Sequence, residues 1–140
     1  MSRSRRVVLS LLGCLMAVVT TTAVTASPAS AFGGETFGCR IAPGHTFTWS
    51  EFCTNDSPAT QYNIGFAVLN LSGAYSFSWQ INGSYQSVYT GCTSTSSDCA
   101  LLVGRGYREL SVTVTYTQNG QSATRTAYAD IEPFCGSRLC

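Results

Sequence analysis

Residues 107–131 read YRELSVTVTYTQNGQSATRTAYADI, and this stretch decides the fold. Apolar residues and threonines alternate on both sides of Asn119-Gly120. Asn-Gly between alternating strands predicts a hairpin with a type I′ turn, because that turn needs positive φ at both central residues. A two-residue loop pairs Gln118 with Gln121. This register places the following residues on one face: Leu110, Val112, Val114, Tyr116, Ala123, Arg125, Ala127 and Ala129.

Among these eight residues, Arg125 is the only one that carries a charge. Two interpretations stay open at this point. Either the long side chain reaches solvent at the edge of a sheet, or the register differs from the one predicted.

The first 31 residues have the organisation of a secretory signal peptide. Three arginines lie within the first six residues, an apolar stretch follows over 7–26, and Ala29-Ser-Ala31 is a small-residue cleavage site. We therefore expect a secreted protein that meets the membrane only transiently, through this peptide. Alternatives are a lipoprotein anchored through Cys14, a retained transmembrane helix, and export by the twin-arginine route instead of general secretion.

The chain after residue 31 contains an even number of cysteines, six, which in an exported protein predicts a disulfide framework. A zinc site is the rival, but it lacks a C-x2-C pair and has only one histidine to draw on. We expect no cofactor or metal. Local pairing gives Cys92–Cys99, Cys135–Cys140 and, by elimination, Cys39–Cys53. For the last two pairs a bridge between the two termini stays open, since a longer loop constrains the unfolded chain more.

Beyond the signal peptide we expect a flexible arm over 32–38 and a single domain over 39–140. A first strand is predicted over 46–50, with Phe47 and Trp49 on one face. Residues 61–71 are apolar at nearly every position, which predicts a central strand. A second hairpin is predicted over 75–89, in which the Asn82-Gly83 turn pairs Ile81 with Ser84.

About seven strands with turn signals between them are typical of an antiparallel β-sandwich. Tyr75-Ser-Phe-Ser-Trp79, followed by the Asn119-Gly120 hairpin, resembles strand C and the terminal F-G hairpin of immunoglobulin-like and PKD-like domains. The resemblance implies an all-β, disulfide-stabilised immunoglobulin-like sandwich. More loosely, the chain is similar to small secreted proteins of actinobacteria.

Charge and motifs narrow the function classes. All eight basic residues are arginine and three lie in the signal peptide, so the remaining chain is slightly acidic. We expect no nucleic-acid partner, because phosphate binding needs a clustered basic surface. His45 is the only histidine, and the sequence contains no G-x-S-x-G motif that would supply a serine nucleophile for it. Asp130 and Glu132 could be a glycosidase pair, but we expect them to lie on an edge strand, where their charges prevent pairing with another sheet. We expect a monomer that is not an enzyme.

The predicted second hairpin turns Phe77, Trp79 and Val88 inward and leaves a polar outer face. Four residues of that hairpin form the candidate recognition surface: Gln80, Tyr85, Gln86 and Tyr89. Aromatic faces beside amides suit sugars and peptides, although tyrosines that merely cover a sheet are the plainer interpretation. We expect a secreted non-catalytic binding module for an unidentified protein or glycan, associated with the cell envelope. A serine-protease inhibitor using the Cys92–Cys99 loop and a small-molecule carrier are the alternatives.

Overall fold

The computed structural model describes residues 32–44, 48–106, 108–135 and 138–140, and the described chain is all β with no helix. The strands are β1 Thr36–Ala42, β2 Phe52–Thr54, β3 Gln61–Leu69, β4 Ser76–Gly83, β5 Ser87–Gly91, β6 Asp98–Gly104, β7 Arg108–Gln118, β8 Gln121–Ile131, β9 Phe134–Cys135 and β10 Arg138–Leu139. They form two four-stranded sheets, with the strand orders β1-β3-β6-β5 (sheet A) and β2-β8-β7-β4 (sheet B), and β9 pairs with β10.

The β7–β8 hairpin has the register that its turn predicts. Gln118 pairs with Gln121, and φ is +50° at Asn119 and +79° at Gly120, as a type I′ turn requires. Leu110, Val112 and the other apolar residues of that face of β7 are buried. Arg125 keeps its place on this side, where it pairs with Val114 of β7, but it is exposed. β2 pairs with β8 only over 128–130, so among the described residues no strand lies beside Arg125 on the edge of β8 that faces away from β7. The sheet-edge interpretation is therefore the correct one.

β3 is the central strand expected between residues 61 and 71. It lies between β1 and β6, and alternate side chains along it are buried: Tyr62, Ile64, Phe66 and Val68. These pack with inward residues of sheet B, such as Val112 and Val114, in one hydrophobic core. Because successive side chains of a strand point to opposite faces, each sheet has one buried face, and the two buried faces pack together to form that core.

The predicted hairpin at Asn82-Gly83 is wrong. β4 pairs along its whole length with β7 in sheet B, whereas β5 pairs with β6 in sheet A, so the chain changes sheets between them. Gly83 is explained instead by a close backbone approach: a Cβ there would lie 2.3 Å from the Glu109 carbonyl oxygen. Phe77 is buried as predicted and Trp79 is half-buried, but Val88 is 45% exposed on the edge strand β5.

The flexible arm predicted over 32–38 is wrong over 36–38, which begin β1 and pair with β3. The residues before them are also held. The Phe32 ring lies 6.5 Å from that of Tyr75 and 5.9 Å from that of Tyr116. Buried Glu35 accepts hydrogen bonds from the Gly33 N–H (2.7 Å) and from the Tyr75 hydroxyl. The composition did not predict these contacts, because the glycines of the segment suggested a flexible chain.

All three predicted disulfides are present: Cys39–Cys53, Cys92–Cys99 and Cys135–Cys140. Cys39 lies on β1 of sheet A and Cys53 on β2 of sheet B, and both are buried, so this bridge joins the two sheets through the core. Of the strand predicted over 46–50, residues 48–50 are described. Among them Ser50 forms a single β-bridge, to Cys39.

Asn55 is a fully buried polar residue that fastens the loop after β2. Its Nδ2 donates to the Tyr62 hydroxyl (3.1 Å) and to the Glu132 carbonyl (2.9 Å), and its Oδ1 accepts from the Glu132 N–H (2.7 Å). The Tyr62 hydroxyl donates to the Ser57 carbonyl (2.9 Å) and accepts from the Ala59 N–H (3.0 Å). This network joins both sheets at the end of the domain where β3 starts and β8 ends.

Two further differences concern sheet B. β2 pairs parallel with β8, so the sheet is mixed rather than purely antiparallel, and β8 is not an edge strand at Asp130. The predicted signal peptide, Cys14, His45 and Phe47 lie outside the described residues. Among the residues that are described, no helix has the length and apolar character needed to cross a membrane.

The Asn55 hydrogen bonds predict that removing this one side-chain amide destabilises the protein. Asn55→Ala should lower the free energy of unfolding by about 1–3 kcal/mol, since the half-buried N–H and carbonyl of Glu132 lose their partner. Urea denaturation of the variant measures this. The control is Asn63→Ala, which removes the same group from a half-buried position on β3. Equal stability of the two variants would show that the network contributes nothing.

The Glu35–Tyr75 hydrogen bond predicts a pH window of stability. It lowers the pKa of Glu35 from 4.5 and raises the pKa of Tyr75 from 10.0, in each case as the largest cause. Its stabilisation is therefore present above the unfolded pKa of Glu35, is lost as pH falls through the lowered value, and is lost again as pH rises through the raised pKa of Tyr75. Tyr75→Phe, which keeps the ring contacts, should lower Tm most between about pH 5 and 9. A difference in Tm between variant and wild type that stays constant from pH 3 to 10 would contradict this assignment.

Candidate functional site

A groove of about 480 Å³ crosses the outward face of sheet B. Its lining comes from all four strands: Phe52, Asn82, Gly83, Glu109, Leu110, Ser111, Tyr128 and Asp130. The strand registers arrange these residues in two rows. One row runs from Phe52 through Tyr128 and Ser111 to Asn82, and the next contains Asp130 opposite Glu109.

Two aromatic rings form one end of the first row. Phe52 on β2 and Tyr128 on β8 are register partners, and each is 53% exposed. The short β2 is fixed there by the Cys39–Cys53 bridge and by the Tyr128 N–H, which donates to the Glu51 carbonyl (2.8 Å). Two half-exposed rings side by side on a sheet are apolar area that water would leave readily on ligand binding.

Two carboxylates form the second row. Glu109 and Asp130 are direct register partners on β7 and β8, and like charges directly opposite each other are destabilising. Burial raises the pKa of Asp130 above its ordinary 3.8, and the negative charges of Glu109 and Glu132 raise it further. Outward residues two positions apart along a strand lie about 7 Å apart. The acidic row is therefore a neighbour of the aromatic row.

The structure separates the predicted recognition residues. Gln80 is an exposed residue of β4 in sheet B, whereas Tyr89 is on the edge strand β5 of sheet A and is 63% exposed. Tyr85 and Gln86 lie in the connection between the sheets and line a small depression of about 150 Å³. The Gln86 side chain accepts a hydrogen bond from the Gln61 amide (2.6 Å). No single surface unites all four.

The Cys92–Cys99 loop is bound to the body of the domain. The Trp79 indole N–H donates to the Thr93 carbonyl (3.1 Å) and to the Ser96 carbonyl (3.2 Å). The backbone N–H groups of Phe77 and Val68 donate to the carbonyls of residues 94 and 97, both at 2.9 Å. Because these carbonyls are already used within the molecule, the loop offers a protease little extended backbone. The inhibitor hypothesis stays a prediction without support from this geometry.

Residues considered for catalysis are placed as follows. His45 lies outside the described residues. Asp130 lines the groove, while Glu132 follows β8, and its backbone is held by Asn55. Within the described residues, no group of three or more His, Cys, Asp or Glu side chains is arranged to hold a metal ion.

Sequence reasoning missed the aromatic half of the groove. The hairpin register already implied that Tyr128 faces away from Ala127 and Ala129, so an aromatic on the polar face of β8 was a usable signal. Phe52 gave no such signal, because its partner lies on β8, far along the chain, and β2 has only three residues.

Comparison of the chain with protein-family models, with curated proteins and with solved structures finds no match. The groove must therefore be interpreted from its own geometry and chemistry.

The opposed carboxylates predict a stabilising substitution. Because the folded pKa of Asp130 is raised, the ionised carboxylate costs stability at neutral pH, and this cost disappears as the group protonates. Asp130→Asn should therefore raise the free energy of unfolding at pH 7 by about 0.5 kcal/mol. The gain should shrink as pH falls through the raised pKa of the folded Asp130 and should be gone below its ordinary pKa of 3.8. Urea denaturation at pH 7 and pH 3 measures it. Asp98→Asn removes one charge from sheet A and is the control; the same gain from both variants would indicate a general charge effect instead.

Proposed function

We propose that this chain is a secreted, non-catalytic binding module with immunoglobulin-like topology, and that it binds its ligand in the groove on sheet B. The strand orders support the topology. In immunoglobulin-like naming, β1-β3-β6-β5 corresponds to A-B-E-D, and β8-β7-β4 corresponds to G-F-C. β2, which pairs parallel with β8, extends the second sheet beyond strand G.

Secretion is supported by two independent features. The first 31 residues carry the basic, apolar and small-residue segments of a signal peptide. Three disulfides in one small domain are typical of an oxidising compartment. We therefore propose an extracellular location, with a protein or glycan of the cell envelope as the source of the ligand.

The observation that carries a binding function is the groove itself. It places the two half-exposed rings of Phe52 and Tyr128 beside two carboxylates and the Asn82 amide on rigid strands. Rigid aromatic anchors with a few polar groups are what recognition surfaces use, because little side-chain entropy is lost on binding. The separation of Gln80 from Tyr89 weakens the case for the surface expected from sequence, which is the competitor in the experiment below.

Mapping of weak ligands by NMR tests the location. A ¹⁵N-labelled chain titrated with chitotetraose, cellotetraose and a set of small aromatic and polar fragments should show shifts clustered at Phe52, Ser111 and Tyr128. Tyr128→Ala should abolish them through loss of a stacking surface. Tyr89→Ala removes an even more exposed ring from the other sheet and should change nothing. Shifts that cluster at Tyr85 and Tyr89, or that survive in Tyr128→Ala, would overturn the assignment.

A further inference from the structure

The walls of the groove carry charge of one sign. Glu109 and Asp130 are paired across β7 and β8, and Glu132 adds to the field at Asp130. None of the described residues that line the groove is basic. Arg108, next to Glu109 in sequence, lines the depression beside Tyr85 instead, because neighbouring residues of a strand point to opposite faces. A ligand that enters the groove therefore meets a negative potential.

Aromatic rings beside carboxylates select a particular kind of ligand. The face of an aromatic ring attracts cations through its quadrupole, and a carboxylate accepts charge-assisted hydrogen bonds from them. A neutral sugar could stack on Tyr128, but it would leave the Glu109–Asp130 repulsion in place. A cation relieves that repulsion when it binds, so its charge adds to the affinity that ring stacking alone would give.

A planar cation suits this arrangement better than a compact one. A guanidinium group can lie flat on an aromatic ring while its edge N–H groups reach carboxylates, whereas an ammonium group lacks the flat face. The chain already shows this contact on its other sheet, where the Arg40 guanidinium lies 4.3 Å above the centre of the Trp49 ring. The groove, with a volume of about 480 Å³, is large enough to hold one long side chain.

We propose that the groove binds an arginine side chain of a partner polypeptide, with the guanidinium group stacked on the Tyr128 ring and hydrogen-bonded to Asp130 and Glu109. This inference rests on the proposed binding function and names the chemistry of its ligand. Phe52 covers the aliphatic part of the inserted side chain. The partner is then a protein that presents an exposed arginine on a loop or an extended segment.

Peptides that differ in one group test the inference. Ac-Gly-Arg-Gly-NH₂ should bind, and shifts of the Tyr128 and Asp130 amides should report the binding by NMR. Its citrulline analogue, which has nearly the same shape and no charge, should bind about tenfold more weakly, since it loses a charge-assisted hydrogen bond. The lysine analogue should lie between them. Raising the salt concentration should weaken binding of the arginine peptide but not of the citrulline peptide.

The matched variants are Asp130→Asn and Asp98→Asn. Asp130→Asn should weaken binding of the arginine peptide about tenfold. Because this variant is expected to be at least as stable as the wild type, unfolding cannot account for the loss. Asp98→Asn removes one negative charge as well, but from the other sheet, and should bind as the wild type does.

Each contrary result has a distinct meaning. Equal affinity for the arginine and citrulline peptides overturns the inference, as does a lysine peptide that binds as tightly as the arginine peptide. If chitotetraose or a neutral fragment still maps to the groove in those cases, the proposed binding function stands and only the cationic ligand is excluded. If neither peptides nor neutral probes shift the groove residues, both proposals fail together.

Discussion

Asn119 and Gly120 both adopt positive φ, and this two-residue turn sets the pairing of β7 with β8 on which the core and the groove both depend. Side chains alternate along a strand, so a slip of one residue would move Val112 and Val114 from the core to solvent. If β7 kept its faces instead, the same slip would turn Tyr128 and Asp130 towards the core. The turn therefore determines the hydrophobic core and the chemistry of the groove at once.

A second constraint keeps the two sheets in place relative to each other. The Cys39–Cys53 bridge joins β1 to β2 through the core, and it fixes the short strand that carries Phe52. At the end of the domain, the buried Asn55 side chain links the loop before β3 to the backbone beyond β8. Both contacts join segments of different sheets, and both position residues near the ends of the strands that form the groove.

The two Asn-Gly pairs show where local signals succeed and where they fail. At Asn119-Gly120 the turn and the flanking alternation agree with the tertiary pairing, so the hairpin and its register were predictable. At Asn82-Gly83 the same signal is overruled. β4 gains a full-length partner in β7, with Phe77 buried, and the glycine is needed where the backbone meets the Glu109 carbonyl. Asn-Gly permits a tight turn, but pairing across the sheet decides whether one forms.

The sequence by itself determined the class of the fold, the central strand β3, the Cys92–Cys99 disulfide, and the inward and outward faces of the β7–β8 hairpin. These follow from alternation, turn chemistry and cysteine spacing, all of which act between residues close in the chain. Only the tertiary structure decided that β4 and β5 belong to different sheets, that residues 36–38 are part of β1, and that β2 lies parallel to β8. The groove belongs to this second group, because Phe52 and Tyr128 meet through a pairing between distant segments, and such contacts leave no periodic signal in either segment.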